Sequence, residues 1–321
     1  MLQVGLIGLG DEWEHRFRPA LERLNKRLEV QCVYATVGRR AAQAAAELDC
    51  DVAPGLVTLI EREDVRALLV LETDWQAEVP ARLACELHKP AFLAGRLADR
   101  LSQAQALAHR ASEAGVTLMP DLGHRYTPAT SRLRELIATR LGRPLAIEII
   151  AMPGARSAVD AGAVQSTDRG LLAAAIDWCT SLVGTAPTAV VPARHSEPAG
   201  GDGPPQRYDV QFRRPSAGGD AACATVEIHG ANGKGVSNGN GAASPTLRAR
   251  IRCAQGSALL EPPCGITWES GLDRSAESLT SDRADIEVML DHFSRRVLGG
   301  LIPVPTLEDV CRARELAEGA G

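Results

Sequence analysis

Proton transfer and anion binding call for imidazole, carboxylate and guanidinium groups, and this chain gathers such groups in two places. One is Asp121-Leu-Gly-His124-Arg125-Tyr126-Thr-Pro128; the other runs from Asp168-Arg169 to Asp177. Imidazole is the side chain best matched to acid–base work near neutral pH, so His124 is the first candidate and Asp177 the second. Tyr126 and Asp168 offer further proton-bearing or polar contacts to a substrate. Arg125 and Arg169 offer guanidinium forks for an anionic group. Each also has a plainer reading: His124 as a hydrogen-bonding histidine between domains, Asp177 as a polar helix residue, and Asp168 with Arg169 as a loop ion pair of little energetic weight.

A third stretch opens the chain. Leu2-Gln-Val-Gly-Leu-Ile-Gly8-Leu-Gly10-Asp11-Glu12-Trp13 is a short apolar run, a glycine turn and then a helical pattern. Glycines let a backbone turn sharply and come close to a diphosphate. Gly8 and Gly10 fill the first two places of Gly-x-Gly-x-x-Gly, and Trp13 stands at the third. A carboxylate that binds ribose hydroxyls is expected roughly 20 residues further on. Ala35 holds that place, followed by Thr36 and then Arg39 and Arg40. Guanidinium groups without a carboxylate suit a 2′-phosphate, which favours NADP over NAD; alternatively, Arg39 and Arg40 merely open a solvated helix.

The elements that must carry these residues follow from periodicity. Apolar runs at Val4–Ile7, Val30–Tyr34, Ala67–Leu71, Ala91–Leu93 and Val116–Leu118 alternate with helical patterns at Arg39–Leu48, Trp75–Leu87 and Ser102–Ala114. Ser102 reads as an N-cap and Gly115 as a stop. Strands alternating with helices make a doubly wound parallel sheet with its site at the carboxyl ends of the strands. Thr73, Asp74 and Arg96, which follow later strands, therefore join Gly8, Gly10, Asp11, Glu12, Thr36, Arg39 and Arg40 as candidate cofactor contacts.

From Met119 the pattern changes. A helix at Ala129–Arg140, closed by Gly142, and another at Leu171–Val183 accompany β-like runs at Ala146–Ala151, Ala189–Ala193, Tyr208–Arg213, Cys223–Ile228, Leu247–Arg252 and Ala258–Leu260. Gly- and Pro-rich stretches at Pro198–Pro205 and Gly230–Pro245 read as loops or disordered insertions. Ile286–Val297 and Thr306–Ala317 are the last helices, the latter capped by Thr306. The expected fold is α/β: an N-terminal Rossmann-like doubly wound parallel sheet, residues 1–122, and a C-terminal α+β domain with a largely antiparallel open sheet, residues 123–321.

Composition narrows the class. At 321 residues two domains are the default, and the net charge of −5 with dispersed basic residues argues against nucleic-acid binding. No apolar stretch approaches the ~20 residues of a membrane span, and no export signal is recognisable. The eight cysteines show neither Cys-x-x-Cys nor zinc spacing, so no metal is expected and they read as reduced core residues of a cytoplasmic protein. An uncovered apolar face on the second sheet would favour a homo-oligomer.

The order of these features resembles the Gfo/Idh/MocA family of NAD(P)-dependent oxidoreductases over essentially the whole chain. Val4-Gly-Leu-Ile-Gly8-Leu-Gly10 is similar to the family's opening, and His88-Lys-Pro-Ala-Phe-Leu-Ala94-Gly95-Arg96-Leu-Ala98 to its strand carrying Glu-Lys-Pro. Arg125-Tyr-Thr-Pro128 resembles its entry to the second domain, and Asp177-Trp-Cys-Thr-Ser-Leu-Val-Gly184 the helix ending its site segment. Val304-Pro-Thr-Leu-Glu-Asp-Val-Cys-Arg-Ala-Arg-Glu-Leu-Ala317 resembles its closing helix, which implies that residues 305–319 pack back on the first domain.

The resemblance implies a nicotinamide cofactor, a small sugar-like or polyol/carbonyl substrate, and a homodimer or homotetramer. It also marks departures. Gly95 stands where the family has its acid/base lysine, and Ala174 where a histidine three residues before Asp177 often assists. Thr73-Asp74 replaces the usual Thr-Pro, and Glu78 the histidine expected after it. Two readings follow. One is an oxidoreductase with a non-standard site, in which His124, Tyr126, Asp168 or Asp177 supplies the proton, or, as a variant, solvent or the substrate delivers it. The other is a catalytically inactive member serving as a dinucleotide- or ligand-binding or assembly module.

Overall fold

The alternation of apolar runs and helical patterns before Met119 forms a six-stranded parallel sheet. The structure, a computed structural model, describes residues 1–72, 78–94, 101–152, 168–193, 206–213, 221–228 and 246–320. Strands β1 (Leu2–Ile7), β2 (Leu28–Tyr34), β3 (Asp51–Val52), β4 (Ala67–Val70), β5 (Ala91–Leu93) and β6 (Leu118–Pro120) lie in the order β3-β2-β1-β4-β5-β6. Every neighbouring pair is parallel. The order reverses between β1 and β4, and such switch points are where open parallel sheets take ligands. β4 is buried along its whole length, as a strand covered on both faces must be.

Helices α1 (Arg18–Arg23), α2 (Gly38–Leu48), α3 (Leu56–Glu61), α4 (Val79–Glu86) and α5 (Leu101–Ala114) join these strands. Ala41, Ala44 and Ala45 form the buried stripe of α2, and Ala104, Leu107, Ala108 and Ala111 that of α5. Two details of the sequence reading are corrected here. Ser102 lies inside α5 and is not its N-cap. The last strand starts at Leu118 rather than Val116, because Val116 N–H still bonds back to the Ala111 carbonyl at 2.9 Å while Gly115, at φ 63°, turns the chain out of the helix.

The second sheet has eight strands in the order β14-β13-β12-β11-β7-β10-β9-β8. These are β7 (Pro144–Met152), β8 (Pro187–Pro192), β9 (Gln206–Phe212), β10 (Cys223–Ile228), β11 (Thr246–Cys253), β12 (Ser257–Glu261), β13 (Gly265–Ser270) and β14 (Asp273–Ser278). All pairs are antiparallel except β7 with β10. Helix α6 (Pro128–Leu136) runs into a π-turn at Ile137–Leu141 and ends at Gly142, φ 69°; α7 spans Asp168–Val183. Strand alternation sends Leu247, Ala249, Ile251 and Cys253 of β11 inward, into one core with Leu133 and Leu136 of α6 and Leu172, Ile176 and Trp178 of α7.

The opposite face of this sheet is not the apolar surface expected from sequence. Arg207 pairs with Glu227 at 2.8 Å, Thr225 hydrogen-bonds Asp209 at 3.1 Å, and Arg248 pairs with Glu261. Cross-strand polar pairs solvate the face, and Ile150 and Val191 are exposed aliphatic residues among them. Neither β13 nor β14 is among the β-like runs expected from sequence: β13 carries only the short alternation Ile266, Trp268, and Asp-Arg-Ser-Ala-Glu-Ser of β14 carries no apolar signal.

Helix α8 (Asp285–Val297) follows, then α9 (Leu307–Gly319), where Thr306 and Asp309 cap each other's backbone N–H groups. The chain divides into two units, Met1–Leu122 with Ile286–Cys311, and Gly123–Asp285 with Arg312–Gly321. The stretch Ile286–Cys311, placed by sequence order in the second domain, thus belongs to the first unit. There Phe293 meets Phe92 with ring centroids 6.2 Å apart, and the buried carboxylates of Glu287 and Asp291 pair with Arg23 and Arg27. No helix among the described residues is long and apolar enough to cross a membrane.

All eight cysteines are free thiols. Cys223 is exposed, whereas burial pushes the Cys179 thiol far up, and those of Cys50 and Cys253 to about 11. Thiolate is the reactive form, so alkylation of the native protein at pH 8 is expected to label Cys223 well before Cys179 or Cys253. Peptide mass spectrometry over a time course checks the order.

Candidate functional site

In the first unit the candidate site is the turn at the end of β1. Gly8, at φ 80°, donates its N–H to the Tyr34 carbonyl at the end of β2 at 2.8 Å. On the other side Leu71 N–H donates to the Ile7 carbonyl at 2.8 Å, so the chain leaving β4 is pinned beside the turn. A Cβ on Gly8 would collide with the Glu72 carbonyl, and one on Gly10 with a Glu72 carboxylate oxygen. Gly8 is therefore required by the way the ends of β1 and β4 meet, whereas the contact at Gly10 is with the end of a side chain.

Beyond the turn the chain enters a π-helical turn, Trp13–Phe17, before α1 begins with Pro19 in its first turn. Trp13 and Phe17 are both buried, so the indole fills the interior. Arg16 on the same turn grips Asp121, past the end of β6, through two bonds of 2.6 and 3.0 Å, and also binds Glu12 at 3.0 Å. Arg40 donates to the Leu9 carbonyl at 3.2 Å, which ties α2 to the glycine turn; Arg39, Thr36 and Asp11 are exposed. Thr73, Asp74 and Arg96 lie outside the described residues, as do Gly95 and the stretches 198–205 and 230–245.

In the second unit a 3-10 turn at Gly123–Arg125 sets His124 and Arg125 against Asp177 of α7. His124 Nε2 donates to Asp177 Oδ2 at 2.7 Å, Arg125 Nε donates to the same oxygen at 2.8 Å, and Arg125 Nη2 donates to Oδ1. Asp177 is 4% exposed. Desolvation pushes its carboxyl value up, but the hydrogen bonds and positive charge of His124 and Arg125 outweigh it and hold the group at about 2. The carboxylate is thus ionised at any physiological pH.

The surroundings fix this cluster. Thr127 caps α6 by accepting from Thr130 N–H at 3.2 Å; Thr130 Oγ1 donates to the His124 carbonyl at 3.1 Å and accepts from Trp178 Nε1 at 3.1 Å. Arg134 donates to the Arg125 carbonyl at 2.6 Å and to Ser181 Oγ at 3.0 Å. Tyr126 is buried. An imidazole held by one nitrogen to a buried carboxylate presents its other nitrogen, Nδ1, in a fixed direction, the arrangement used to orient a general acid or base. The Nε–Nη2 edge of Arg125, its bidentate edge, is committed to Asp177.

The sequence-read groups are thus only partly brought together. His124, Arg125 and Asp177 meet. Asp168 and Arg169 sit at the start of α7, nine and eight residues before Asp177 and so about 12 to 13 Å away along the helix axis; there Asp168 accepts from Gln206 at 3.0 Å. Glu72, Arg16 and Asp121 were missed as site residues. Their one available signal was position, directly after a strand end or on the first turn after the glycines.

The parallel sheet with a glycine turn at its switch point, joined to a mostly antiparallel sheet flanked by helices, is the fold of the Gfo/Idh/MocA-type dehydrogenases. UDP-N-acetylglucosamine 3-dehydrogenase GnnA from Acidithiobacillus ferrooxidans superposes with a TM-score of 0.72 at 18% identity, covering 99% of this chain and 96% of that one. Levoglucosan dehydrogenase, in complex with NADH and levoglucosan, gives 0.73 at 15% identity, with 99% and 96% covered. An oxidoreductase from Agrobacterium radiobacter, in complex with NAD+, L-tartaric acid and magnesium, gives 0.73 at 14%, with 99% and 95% covered. Compared with protein-family models and with curated protein sequences, the chain matches none. At these identities the likeness is one of fold.

Proposed function

We propose that this chain is an NAD(P)-dependent oxidoreductase acting on a small sugar-like or polyol/carbonyl substrate, with His124 and Asp177 in place of the lysine found in the family it resembles. The observation that carries the reading is the buried, ionised Asp177 holding His124 at 2.7 Å. A cofactor of this class supplies the hydride-accepting or hydride-donating carbon. The backbone of Gly8 and Gly10 would hold its diphosphate, and the fit is good in main-chain conformation, position and sheet topology. Exposed Arg39 would hold a 2′-phosphate, which favours NADP; Arg40 would add charge while bonded to Leu9. Asp11, Glu12, Thr36, Thr73, Asp74 and Arg96 complete the proposed cofactor contacts. Tyr126, Asp168, Arg169 and Arg125 are the proposed substrate contacts.

In this scheme His124 moves the proton at the substrate hydroxyl or carbonyl oxygen through Nδ1. Asp177 holds the ring by Nε2 and stabilises it when protonated. His124→Ala is expected to lower kcat roughly 100- to 10,000-fold while leaving the Kd for NADPH within about threefold. Absorbance at the nicotinamide band and tryptophan quenching read the two quantities. A variant that keeps its kcat removes His124 from the chemistry. Arg39→Ala is expected to weaken NADPH roughly tenfold more than NADH; equal weakening would mean Arg39 does not read the 2′-phosphate. We also propose a cytoplasmic homodimer or homotetramer, on the family resemblance alone.

A second reading, a non-catalytic ligand-binding or assembly module, is favoured by Gly95 and Ala174 at the places where the resemblance puts lysine and histidine. NADPH oxidation with any sugar or polyol carbonyl excludes it. Tight nucleotide binding without turnover across such a panel supports it.

A further inference from the structure

Thr130, in the first turn of α6, is buried, and its hydroxyl joins elements that are far apart in the chain. The indole of Trp178, on α7, donates to Thr130 Oγ1 through Nε1 at 3.1 Å. The Thr127 hydroxyl donates to it at 2.8 Å, while accepting from Thr130 N–H. A threonine hydroxyl has two lone pairs and one proton, and an indole N–H can only donate. With both lone pairs filled, the proton of Thr130 goes to the His124 carbonyl at 3.1 Å. Each bond of this hydroxyl therefore has a fixed direction.

Both ends of the His124–Asp177 bond converge on that oxygen. His124 reaches it by its own carbonyl, and Asp177 by Trp178, the next residue of α7 and itself buried. We infer that Thr130 is a positioning residue: its hydroxyl sets the approach of His124 Nε2 to Asp177 and so the direction of Nδ1. The consequence for turnover rests on the oxidoreductase reading above. Valine has nearly the same shape but can neither accept from Trp178 nor donate to His124. It would leave a buried indole N–H and a backbone carbonyl without their partner. Arg134 holds the Arg125 carbonyl separately, at 2.6 Å, so the loss falls on the His124 arm of the cluster and spares the Arg125 arm. Drift of about 1 Å at a proton-transferring group is enough to cost roughly 100-fold in rate.

The test compares the full-length wild type, Thr130→Ser and Thr130→Val by two readouts. One is the proton spectrum of protein carrying isotope-labelled histidine. There the Nε2–H of His124, shared with a buried carboxylate, gives a downfield, slowly exchanging resonance, identified by its loss in His124→Gln. The other is kcat and KM with NADPH and a sugar or polyol carbonyl that the wild type reduces. Thr130→Ser is expected to keep the resonance and a kcat within about threefold of the wild type. Thr130→Val is expected to lose the resonance and to lower kcat roughly 10- to 100-fold, with KM changed less than about threefold. Trp178→Phe removes only the anchor on α7 and should move both readouts the same way, which keeps the test decisive if Thr130→Val does not fold. A Thr130→Val protein that keeps both, or a Thr130→Ser protein that loses as much, overturns the inference. So does a fall in kcat with the resonance intact, since drift of the pair would not be its cause. A lost resonance with kcat unchanged supports the positioning role and removes His124 from the chemistry. A wild type without turnover sinks the oxidoreductase reading, and the resonance alone then decides whether Thr130 positions the pair.

Discussion

Asp177→Ala is expected to destabilise the second unit by about 3–5 kcal/mol. The Asp177 carboxylate accepts from His124 Nε2 and from two nitrogens of Arg125, and it is 4% exposed. Truncation removes every one of those acceptors at once. It takes the buried acceptor away from a guanidinium that is itself 13% exposed, and the loss of that acceptor, not the worth of the pair, is the larger part of the penalty. Converting both partners, Arg125→Met with Asp177→Leu, should recover more than half of the stability, because well-packed apolar groups replace buried ion pairs at little cost. Urea unfolding followed by the fluorescence of Trp178, the next residue on α7, measures both. A single-variant loss below about 1 kcal/mol would mean that water or a rearranged side chain already satisfies Arg125.

The same carboxylate imposes a pH dependence. Its folded value, about 2, lies below the ~3.9 of an unfolded aspartate, so the unfolded chain takes up the proton first as acid is added. The stability it contributes is therefore complete above about pH 4 to 5 and disappears as pH falls through about 2. A depression of nearly two units corresponds to about 2–3 kcal/mol over that window, undiminished by solvent because the group is buried. Glu277, held low by the Arg132 guanidinium, acts in the same direction. Asp177→Asn should start less stable at pH 7 but lose less between pH 5 and pH 2 than the wild type. Parallel pH profiles for the two proteins would refute the assignment.

Much of the fold was legible because burial writes itself into sequence period. Strands such as Ala67–Val70 are continuous apolar runs, and β11 alternates Leu247, Ala249 and Ile251 with arginines. Where no apolar signal exists, as in β14 or the two-residue β3, periodicity had nothing to report. The return of Ile286–Cys311 to the first unit was illegible for a different reason: Met289, Leu290 and Phe293 announce a buried face but not which core receives it. The site divides along the same line. His124 and Asp177 were readable as residue types that could do chemistry, although 53 positions separate them and only the fold makes them a pair. Arg16 and Asp121, 105 positions apart, and Glu72 against Gly10 depend on side-chain direction at strand ends, which no local pattern encodes.

The glycine turn offers the second large effect, and comparing three glycines separates its causes. Gly8→Ala is expected to cost about 3–4 kcal/mol. One part, about 1–2 kcal/mol, is the left-handed backbone at φ 80°, which any side chain resists. The rest comes from driving a Cβ into the Glu72 carbonyl, which cannot yield while Leu71 N–H holds the Ile7 carbonyl at 2.8 Å. Gly115→Ala isolates the first part: φ is 63° but nothing lies within 4 Å, so about 1 kcal/mol is expected. Gly10→Ala isolates a contact that can move, because its clash is with the end of the Glu72 side chain; it should cost less than 1 kcal/mol while pushing that carboxylate aside. Urea midpoints of the three variants should therefore fall in the order Gly10→Ala, Gly115→Ala, Gly8→Ala, from least to most destabilised. If Gly10→Ala proves as damaging as Gly8→Ala, the Glu72 side chain is held over the turn as firmly as its backbone, and the two contacts do not differ in kind.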